Sequence, residues 1–426
     1  MIWAVTKHKK KQSNPWKYPK LVLTFGVGIV VAFSSISYLS LRAPVLPSPP
    51  LKDLAAKHGI DLGMLVYDHK LNNRIYPDLV RNQFGLVTID GGAHFKELRP
   101  SETEFDFSTS DTIVAFAEAN NMPVQLHHLI WGDRIMIPKW LEQGNYSKDQ
   151  LRAILRDHIT KVMQHYKGRV REYSVVNEAF TEAQHLYGLR SFYGDELGYE
   201  YELLDDYFRW ARQADPDAKL ILNDFNNETK NKVSDAMYAY IKAAKARGVP
   251  IDGIGMQMHI NASNIPPKQA LLDNMKRFGE LGVSIYITEF DVNSNSVKRS
   301  EADKNQLETR IMYDVTRACI ESRVCKSMTV FGLTMKNDLV KKLTRANSRD
   351  LLFTSRFEPT PAYFGLRQAF SEWATKCLRC FVLINFNSCS NQFLNGGTVY
   401  GVTFMKFNCA ECWTIKSSIE YFVGIL

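Results

Sequence analysis

Eight short apolar runs recur along this chain, and amphipathic stretches separate them. Such alternation is typical of a parallel sheet whose faces are covered by helices. Eight β/α units within about 320 residues predict a closed eight-stranded β/α barrel (a TIM barrel), because open doubly wound sheets usually contain fewer strands. The candidate strands are Asp61–Tyr67, Gly85–Gly91, Pro123–Trp131, Arg171–Asn177, Lys219–Asn226, Ile251–Ile260, Val283–Val292 and Ser327–Thr334. The candidate helices include Asp149–Tyr166, Lys230–Arg247, Lys268–Leu281, Ala302–Ile320 and Pro361–Lys376.

The charge distribution and the lack of a phosphate-binding loop argue against several classes of function. The net charge is +8, but seven positive charges lie within the first 42 residues, so the remainder carries about +1. That balance gives no electrostatic footprint for a nucleic acid. No glycine-rich phosphate loop follows the first candidate strand, which argues against a nucleotide or nicotinamide enzyme. We therefore expect no cofactor, no metal in the active site, and neither nucleic acid nor nucleotide as a partner.

The first 51 residues have the pattern of a membrane anchor and a spacer. Residues 1–20 form a basic segment, and the uncharged run from Leu21 to Leu41 is long enough to cross a bilayer as a helix. Lysines before such a run resist translocation, which predicts a cytoplasmic N-terminus, a signal-anchor at 21–41 and an extracytoplasmic catalytic part. Cleavage of a signal peptide, followed by secretion, and a buried core helix are the alternatives. Residues 42–51 are proline-rich and predict a linker that holds the barrel, 52–376, away from the membrane.

The tail, residues 377–426, differs in character from the barrel. It holds five of the seven cysteines and no clear helical or strand repeat. Three interpretations stay open: an appendage without a catalytic role, a disulfide knot, and a zinc site. The zinc site would use Cys377-x-x-Cys380 and Cys409-x-x-Cys412.

Polar side chains follow several of the candidate strands at their carboxyl ends, where a β/α barrel assembles its active site. Strand four is followed by Glu178, and Glu289 lies near the end of strand seven, in Ile287-Thr288-Glu289-Phe290-Asp291. Two carboxylates at one barrel mouth can flank a glycosidic bond, one donating a proton while the other attacks the anomeric carbon. Residues suited to binding sugar hydroxyls and stacking on a pyranose surround them in the predicted fold: His127, Trp131, Asn223, Asp224, Gln257 and His259.

Five ordered motifs carry a resemblance to a known family. They are His127-His128-Leu129-Ile130-Trp131, Val175-Val176-Asn177-Glu178-Ala179, Leu222-Asn223-Asp224-Phe225-Asn226, the run from Ile251 to His259, and Ile287-Thr288-Glu289-Phe290-Asp291. Together they resemble glycoside hydrolase family ten, the endo-β-1,4-xylanases, over about Leu62 to Tyr363.

The resemblance implies a mechanism and a set of subsite residues. It implies retention of configuration, with Glu178 as acid/base and Glu289 as nucleophile. It further implies that His259 hydrogen-bonds the nucleophile and that Asn177 contacts the 2-hydroxyl of the sugar under attack. His127, Trp131 and Gln257 would line that subsite, with Asn223, Asp224 and Asp291 in support.

The chain departs from the family pattern mainly in the sugar subsites. A Glu-Asn pair followed by Lys and Trp becomes Asp90, Gly91, His94 and Phe95 here, and the usual Trp-Asp before the acid/base motif is Tyr173-Ser174. Gly132 replaces a histidine, Phe331 replaces the strand-eight tryptophan, and a tryptophan expected near Asp338 or Leu339 is absent. We expect His94 and Phe331 to contact substrate in place of the usual residues. Loss of fixed hydrogen-bond donors alters discrimination among sugars, so the pocket could accept a different or decorated chain.

Three functions are compatible with this pattern. The first is an endo-acting β-1,4-glycosidase whose partner is a xylan-like polysaccharide. The second is a membrane-tethered carbohydrate-binding protein that keeps the fold but has lost turnover. The third, an aldolase-like barrel, would need a Schiff-base lysine, for which Lys336 is a weak candidate. Both carboxylates are present with hydrogen-bonding neighbours, which favours the enzyme.

Overall fold

The computed structural model describes residues 44–180, 201–295, 297–333 and 351–372. The predicted basic segment, the predicted membrane span at 21–41 and the tail at 377–426 lie outside the described residues, as do Lys336, Asp338 and Leu339. No helix within the described ranges is both long and apolar enough to cross a bilayer.

The described strands form a closed parallel barrel. Neighbours in sequence pair from β1 to β6, then β6 pairs with β8, β8 with β9, and β9 with β1. Eight strands therefore close the ring, and the predicted TIM barrel is confirmed. The strands are β1 Asp61–Leu65, β2 Leu86–Ile89, β3 Val124–Trp131, β4 Glu172–Asn177, β5 Lys219–Asp224, β6 Gly253–Met256, β7 His259–Asn261, β8 Ser284–Asn293 and β9 Cys325–Val330.

The sixth predicted strand, Ile251–Ile260, is interrupted. It divides into β6 and the short β7, because Met258 adopts a left-handed φ of 62° that no regular strand contains. The N–H of the preceding residue, Gln257, donates to the carbonyl oxygen of Asp224 at 3.0 Å, so the chain at the break remains hydrogen-bonded to β5. After the break, β7 pairs only with β8, and His259 lies opposite Asp291. The break thus turns Gln257 and His259 toward the barrel mouth.

Helices surround the ring and begin close to the predicted positions. For example, the helix predicted at Asp149–Tyr166 runs from Lys148 to His165 and starts with a capping box formed by Ser147 and Gln150. The helices are α1 Leu51–Ala56, α2 Asp68–Leu71, α3 Tyr76–Gln83, α4 Phe95–Leu98, α5 Ser108–Ala119, α6 Lys139–Glu142, α7 Lys148–His165, α8 Tyr201–Ala214, α9 Lys232–Ala246, α10 Lys268–Gly279, α11 Glu301–Ser322 and α12, 361–372.

The barrel is closed by packing and by polar contacts below the mouth. Every residue of β2, β4 and β6 is buried, as expected for parallel strands covered on both faces. Inside the ring, the Thr88 hydroxyl hydrogen-bonds Oε1 of Gln125 (3.1 Å) and the hydroxyl of Thr329 (3.0 Å), which pairs these three buried oxygens. At the opposite end from the site, a disulfide between Cys319 and Cys325 joins the end of α11 to the start of β9.

Candidate active site

The backbone around Glu178 places its side chain over the barrel mouth. Glu178 is the first residue after β4 and has a left-handed φ of 57°. This conformation costs about 1 kcal/mol or more for a residue with a Cβ, so it persists only where neighbours fix it. The Glu178 N–H donates to the carbonyl oxygen of Asn223 at 2.9 Å, which secures the turn to β5.

Two neutral donors hold the carboxyl group of Glu178. The indole Nε1 of Trp131 donates to Oε2 (3.0 Å), and Nε2 of Gln257 donates to Oε1 (3.0 Å). Burial raises the pKa of Glu178 to about 7, the charge of Glu289 acts in the same direction, and the two hydrogen bonds oppose them. Glu178 is therefore protonated in a substantial fraction of molecules near neutral pH, as a general acid requires.

Glu289 lies within β8, is 6% exposed, and is bound by cationic or amide donors. His127 Nε2 is 3.2 Å from Oε1, His259 Nε2 is 3.3 Å from Oε2, and Asn223 Nδ2 donates to Oε1 at 3.0 Å. Burial alone would raise the pKa of Glu289, but His127 and His259 outweigh it and hold that pKa well below its usual range. Glu289 therefore stays ionised, as a nucleophile requires.

Both histidines are oriented by a second partner. Asp291 Oδ1 lies 3.0 Å from His259 Nδ1, and the hydroxyl of Ser174 lies 3.0 Å from His127 Nδ1. Partial burial acts to lower the pKa of His259, whereas Asp291 and Glu289 raise it well above its ordinary value. Asp291, on the side of the ring away from Glu289, thus keeps the imidazole of His259 positively charged.

A chain of amides links the two carboxylates. Asn223 Nδ2 donates to Asn177 Oδ1 (2.7 Å) as well as to Glu289, and Gln257 Nε2 reaches Asn177 Oδ1 (3.3 Å) as well as Glu178. Thr288 fixes the orientation of Asn223 by donating its hydroxyl hydrogen to Asn223 Oδ1 (2.6 Å). Asn177 thereby uses its oxygen inside the network, and its Nδ2 is left out of these bonds.

His94 lies in a buried cluster of charges behind the mouth. Its side chain is 4% exposed, with Nε2 2.7 Å from Asp90 and Nδ1 3.3 Å from Glu97. Burial would lower the pKa of His94, but these carboxylates raise it to about 10. The ring stacks on His128 at a centroid separation of 5.0 Å. Because both ring nitrogens face carboxylates, contact between His94 and a sugar hydroxyl needs one of these pairs to open, and that contact stays a prediction.

The remaining predicted residues lie at the edges of the site. Phe331 is half-buried and meets the ring of His259 edge to face, with centroids 5.5 Å apart. Asp224 is fully buried and bonds backbone groups, so it forms no wall of the pocket. Asp224 therefore does not contact substrate as the sequence pattern suggested, whereas the contribution of Phe331 to substrate binding stays a prediction.

Sequence reasoning did not single out Thr288 and Ser174 as parts of the site. Both are buried, and they orient Asn223 and His127 respectively. Each is a small polar residue at a buried position of its strand, a signal that marks a position needing a hydrogen bond. Glu97, the second partner of His94, lies on a helix and carried no comparable signal.

The two carboxyl groups therefore meet at one mouth with pKa values shifted in opposite directions, which is the arrangement for hydrolysis of an acetal. Fold and site together define a β/α-barrel glycoside hydrolase.

Comparison with known proteins agrees with that class. The family model "Glycosyl hydrolase family 10" matches residues 50–369. Endo-1,4-beta-xylanase B of Thermotoga neapolitana is 31% identical over 326 residues, 76% of this chain and 92% of its own. A beta-1,4-xylanase of Dictyoglomus thermophilum is 36% identical over 264 residues, 62% of this chain and 72% of its own.

A solved structure gives the same result. The crystal structure of xylanase 10B from Thermotoga petrophila RKU-1, in complex with xylobiose, matches with a TM-score of 0.72 and 31% identity, covering 78% of this chain and 99% of that one. The chain belongs to glycosyl hydrolase family 10. It is a glycoside hydrolase of the endo-1,4-β-xylanase type, and the resemblance first drawn from five motifs is confirmed.

Proposed function

We propose that the protein is a retaining, endo-acting β-1,4-glycosidase that cleaves xylan or a related β-linked polysaccharide by double displacement. The observation that carries this proposal is that the pKa values of two carboxyl groups at one barrel mouth are shifted in opposite directions. Burial raises the pKa of Glu178 to about 7, whereas two histidines hold the pKa of Glu289 well below its usual range. One group can give a proton while the other attacks.

In the first step, the Glu289 carboxylate attacks the anomeric carbon and the glycosidic C–O bond breaks. Glu178 transfers its proton to the departing oxygen, and a covalent glycosyl-enzyme forms on Glu289. Glu289 carries no charge when it is esterified, so the pKa of Glu178 falls in the glycosyl-enzyme and Glu178 stays deprotonated after giving up its proton. In the second step, Glu178 accepts a proton from water, which attacks the same carbon and releases Glu289.

The amide network assigns roles to the sugar contacts. With its oxygen held by Asn223 and Gln257, Asn177 is oriented to offer its Nδ2 to a hydroxyl beside the anomeric carbon. Trp131 is half-buried and tied to Glu178 through its nitrogen, which leaves an indole face for stacking on a pyranose. His127, Gln257 and His259 complete this subsite.

The stereochemistry of the first product tests the mechanism. Proton NMR of early hydrolysis of a xylooligosaccharide should detect the β anomer first, because two displacements restore the original configuration. Initial release of the α anomer would refute the nucleophile role of Glu289.

A panel digest tests the substrate. Xylan, arabinoxylan, mixed-linkage glucan and cellulose are each incubated with the enzyme, and the products are identified. We expect internal cleavage of xylan, with a mixture of oligosaccharides appearing early. Hydrolysis of cellulose without any hydrolysis of xylan would refute the assignment of xylan as the substrate. Release of a single short product from one chain end would exclude endo action.

We propose further that the barrel works outside the cytoplasm, either tethered by the predicted 21–41 helix or released by cleavage. The Cys319–Cys325 disulfide supports this location, because disulfides persist in oxidising compartments and are rare in the cytosol. Protease added to intact cells should digest the tethered barrel. Digestion only after lysis, with no enzyme in the medium, would contradict the proposal.

A further inference from the structure

Asp224, the last residue of β5, has its carboxylate fully committed to backbone groups. Oδ2 accepts the N–H of Phe180 and Oδ1 accepts the N–H of Phe225, each at 2.9 Å. The residue is 0% exposed, so the side chain does not reach the pocket or its substrate. Burial raises the pKa of Asp224 well above its ordinary value, and the two N–H bonds act to lower it. A buried carboxyl group that accepts two backbone N–H groups fixes the two segments that donate them.

One of those bonds reaches the segment that carries Glu178. Phe180 follows Glu178 by two residues, and the N–H of Glu178 itself is bound by the carbonyl of Asn223 at 2.9 Å. The end of β5 thus holds this segment at two points. Between those points Glu178 has its left-handed φ of 57°, a conformation that persists only when the surroundings fix it.

The same residue also holds a donor to Glu178. The carbonyl oxygen of Asp224 accepts the N–H of Gln257 (3.0 Å), and the Gln257 side chain donates to Glu178 Oε1 (3.0 Å). Met258, immediately after Gln257, is left-handed as well. Two irregular turns therefore meet at Asp224, and between them they supply the acid/base carboxyl and one of its hydrogen-bond donors.

We propose that Asp224 is a positioning residue for the acid/base group: its carboxylate sets the backbone of the Glu178 turn, so that the Glu178 proton is directed at the leaving oxygen. This inference rests on the proposed role of Glu178. It predicts that loss of the Asp224 carboxyl group impairs proton donation more than it impairs nucleophilic attack, since His127 and His259, which hold Glu289, come from other strands.

The test compares two substrates in Asp224→Asn. Asparagine keeps the size of the side chain but presents an NH₂ group to one of the two N–H donors, so one bond becomes a repulsion. A xylooligosaccharide needs its leaving group protonated, whereas a 2,4-dinitrophenyl β-xylobioside does not. We expect kcat/KM to fall about 100-fold on the first, within the range for general-acid catalysis, and less than about 3-fold on the second.

Asp205→Asn is the matched control. Asp205 is similarly buried (2% exposed), but its carboxylate accepts bonds from the side chains of Tyr240 and Arg247 and not from the backbone of the Glu178 turn. It should lower stability while changing kcat/KM for the two substrates by the same factor. An equal loss on both substrates in Asp224→Asn, or no loss, would overturn the positioning role.

Two further variants test the positioning role of Asp224 if the first comparison fails. Glu178→Ala should reproduce the substrate split; if it does not, Glu178 is not the acid and the proposed function fails together with this inference. If Asp224→Asn does not fold, replacing Phe180 by its α-hydroxy acid analogue removes only the N–H that Asp224 accepts. Retention of full activity on the oligosaccharide in that variant would refute the positioning role, and selective loss would support it.

Discussion

The two carboxyl groups of the site are the same residue type, but their surroundings differ in kind. Glu178 follows β4 in a left-handed turn, and its partners Trp131 and Gln257 are neutral. Glu289 is inside β8, where the pairing with β9 shifts register between Ile287 and Phe290, and its partners His127 and His259 are histidines whose pKa values are raised. Burial favours the neutral acid in both places, and only imidazolium charge reverses that preference. The charge of the partner side chains, more than burial, therefore sets the difference in pKa between the predicted acid and the predicted nucleophile.

The largest expected effect comes from removing one carboxyl group at a time. Glu289→Ala should lower turnover of every substrate by about 10⁴-fold or more, because no covalent intermediate can form without the nucleophile. Glu178→Ala should lose about 10²- to 10⁴-fold on xylan yet retain kcat/KM on an aryl glycoside with a good leaving group. Steady-state kinetics on both substrates measure the difference.

Added azide distinguishes the Glu178→Ala variant from the Glu289→Ala variant by a second measurement. It should rescue turnover of the aryl glycoside by Glu178→Ala and give a β-glycosyl azide, since azide needs no general base to attack the glycosyl-enzyme. Rescue of Glu289→Ala with the same β product would reverse the two assignments.

A smaller effect should follow from two glycines of β6. A Cβ on Gly255 would clash with Oδ1 of Asn223, the side chain whose Nδ2 donates to Glu289, whereas a Cβ on Gly253 would clash with the ring of Tyr286 nearer the other end of the strand. Gly255→Ala should reduce kcat/KM by about 10- to 100-fold, because small misplacements at a reacting centre are costly. Gly253→Ala should lower the free energy of unfolding by about 1–3 kcal/mol with little change in kcat/KM per folded molecule.

Thermal unfolding and activity titrated against folded protein separate these outcomes. If both variants lose only stability, the orientation of Asn223 does not affect the reactivity of Glu289.

The smallest effect concerns pH. In the unmodified enzyme, kcat/KM on xylan should fall as pH rises through about 7, where Glu178 loses its proton. Trp131→Phe keeps an aromatic face but removes the N–H that favours ionised Glu178, so the pKa of Glu178 should rise and the alkaline limb should move to higher pH, by about one unit or less. A pH–rate profile measures the shift. Movement of this limb to lower pH would mean that the indole bond does not stabilise the carboxylate.

Much of the fold could be read from local pattern. The barrel strands are buried on both faces, so their apolar runs predicted both their number and, to within a few residues, their positions. The exception is Ile251–Ile260: a left-handed Met258 divides it, and an apolar run carries no signal for such a break because methionine is not a turn residue. The site residues at strand ends followed from the barrel alone, since all parallel strands place their carboxyl ends on one face.

The sequence by itself determined the closed barrel, the two carboxylates that end up at its mouth, and the family whose motifs they carry, because apolar periodicity and motif spacing are local properties of the chain. Only the tertiary structure decided which carboxyl group is protonated. The histidines that ionise Glu289 come from β3 and β7, and the carboxylates that engage His94 come from the end of β2 and from α4. Protonation depends on distances between residues far apart in sequence, and the fold alone sets those distances.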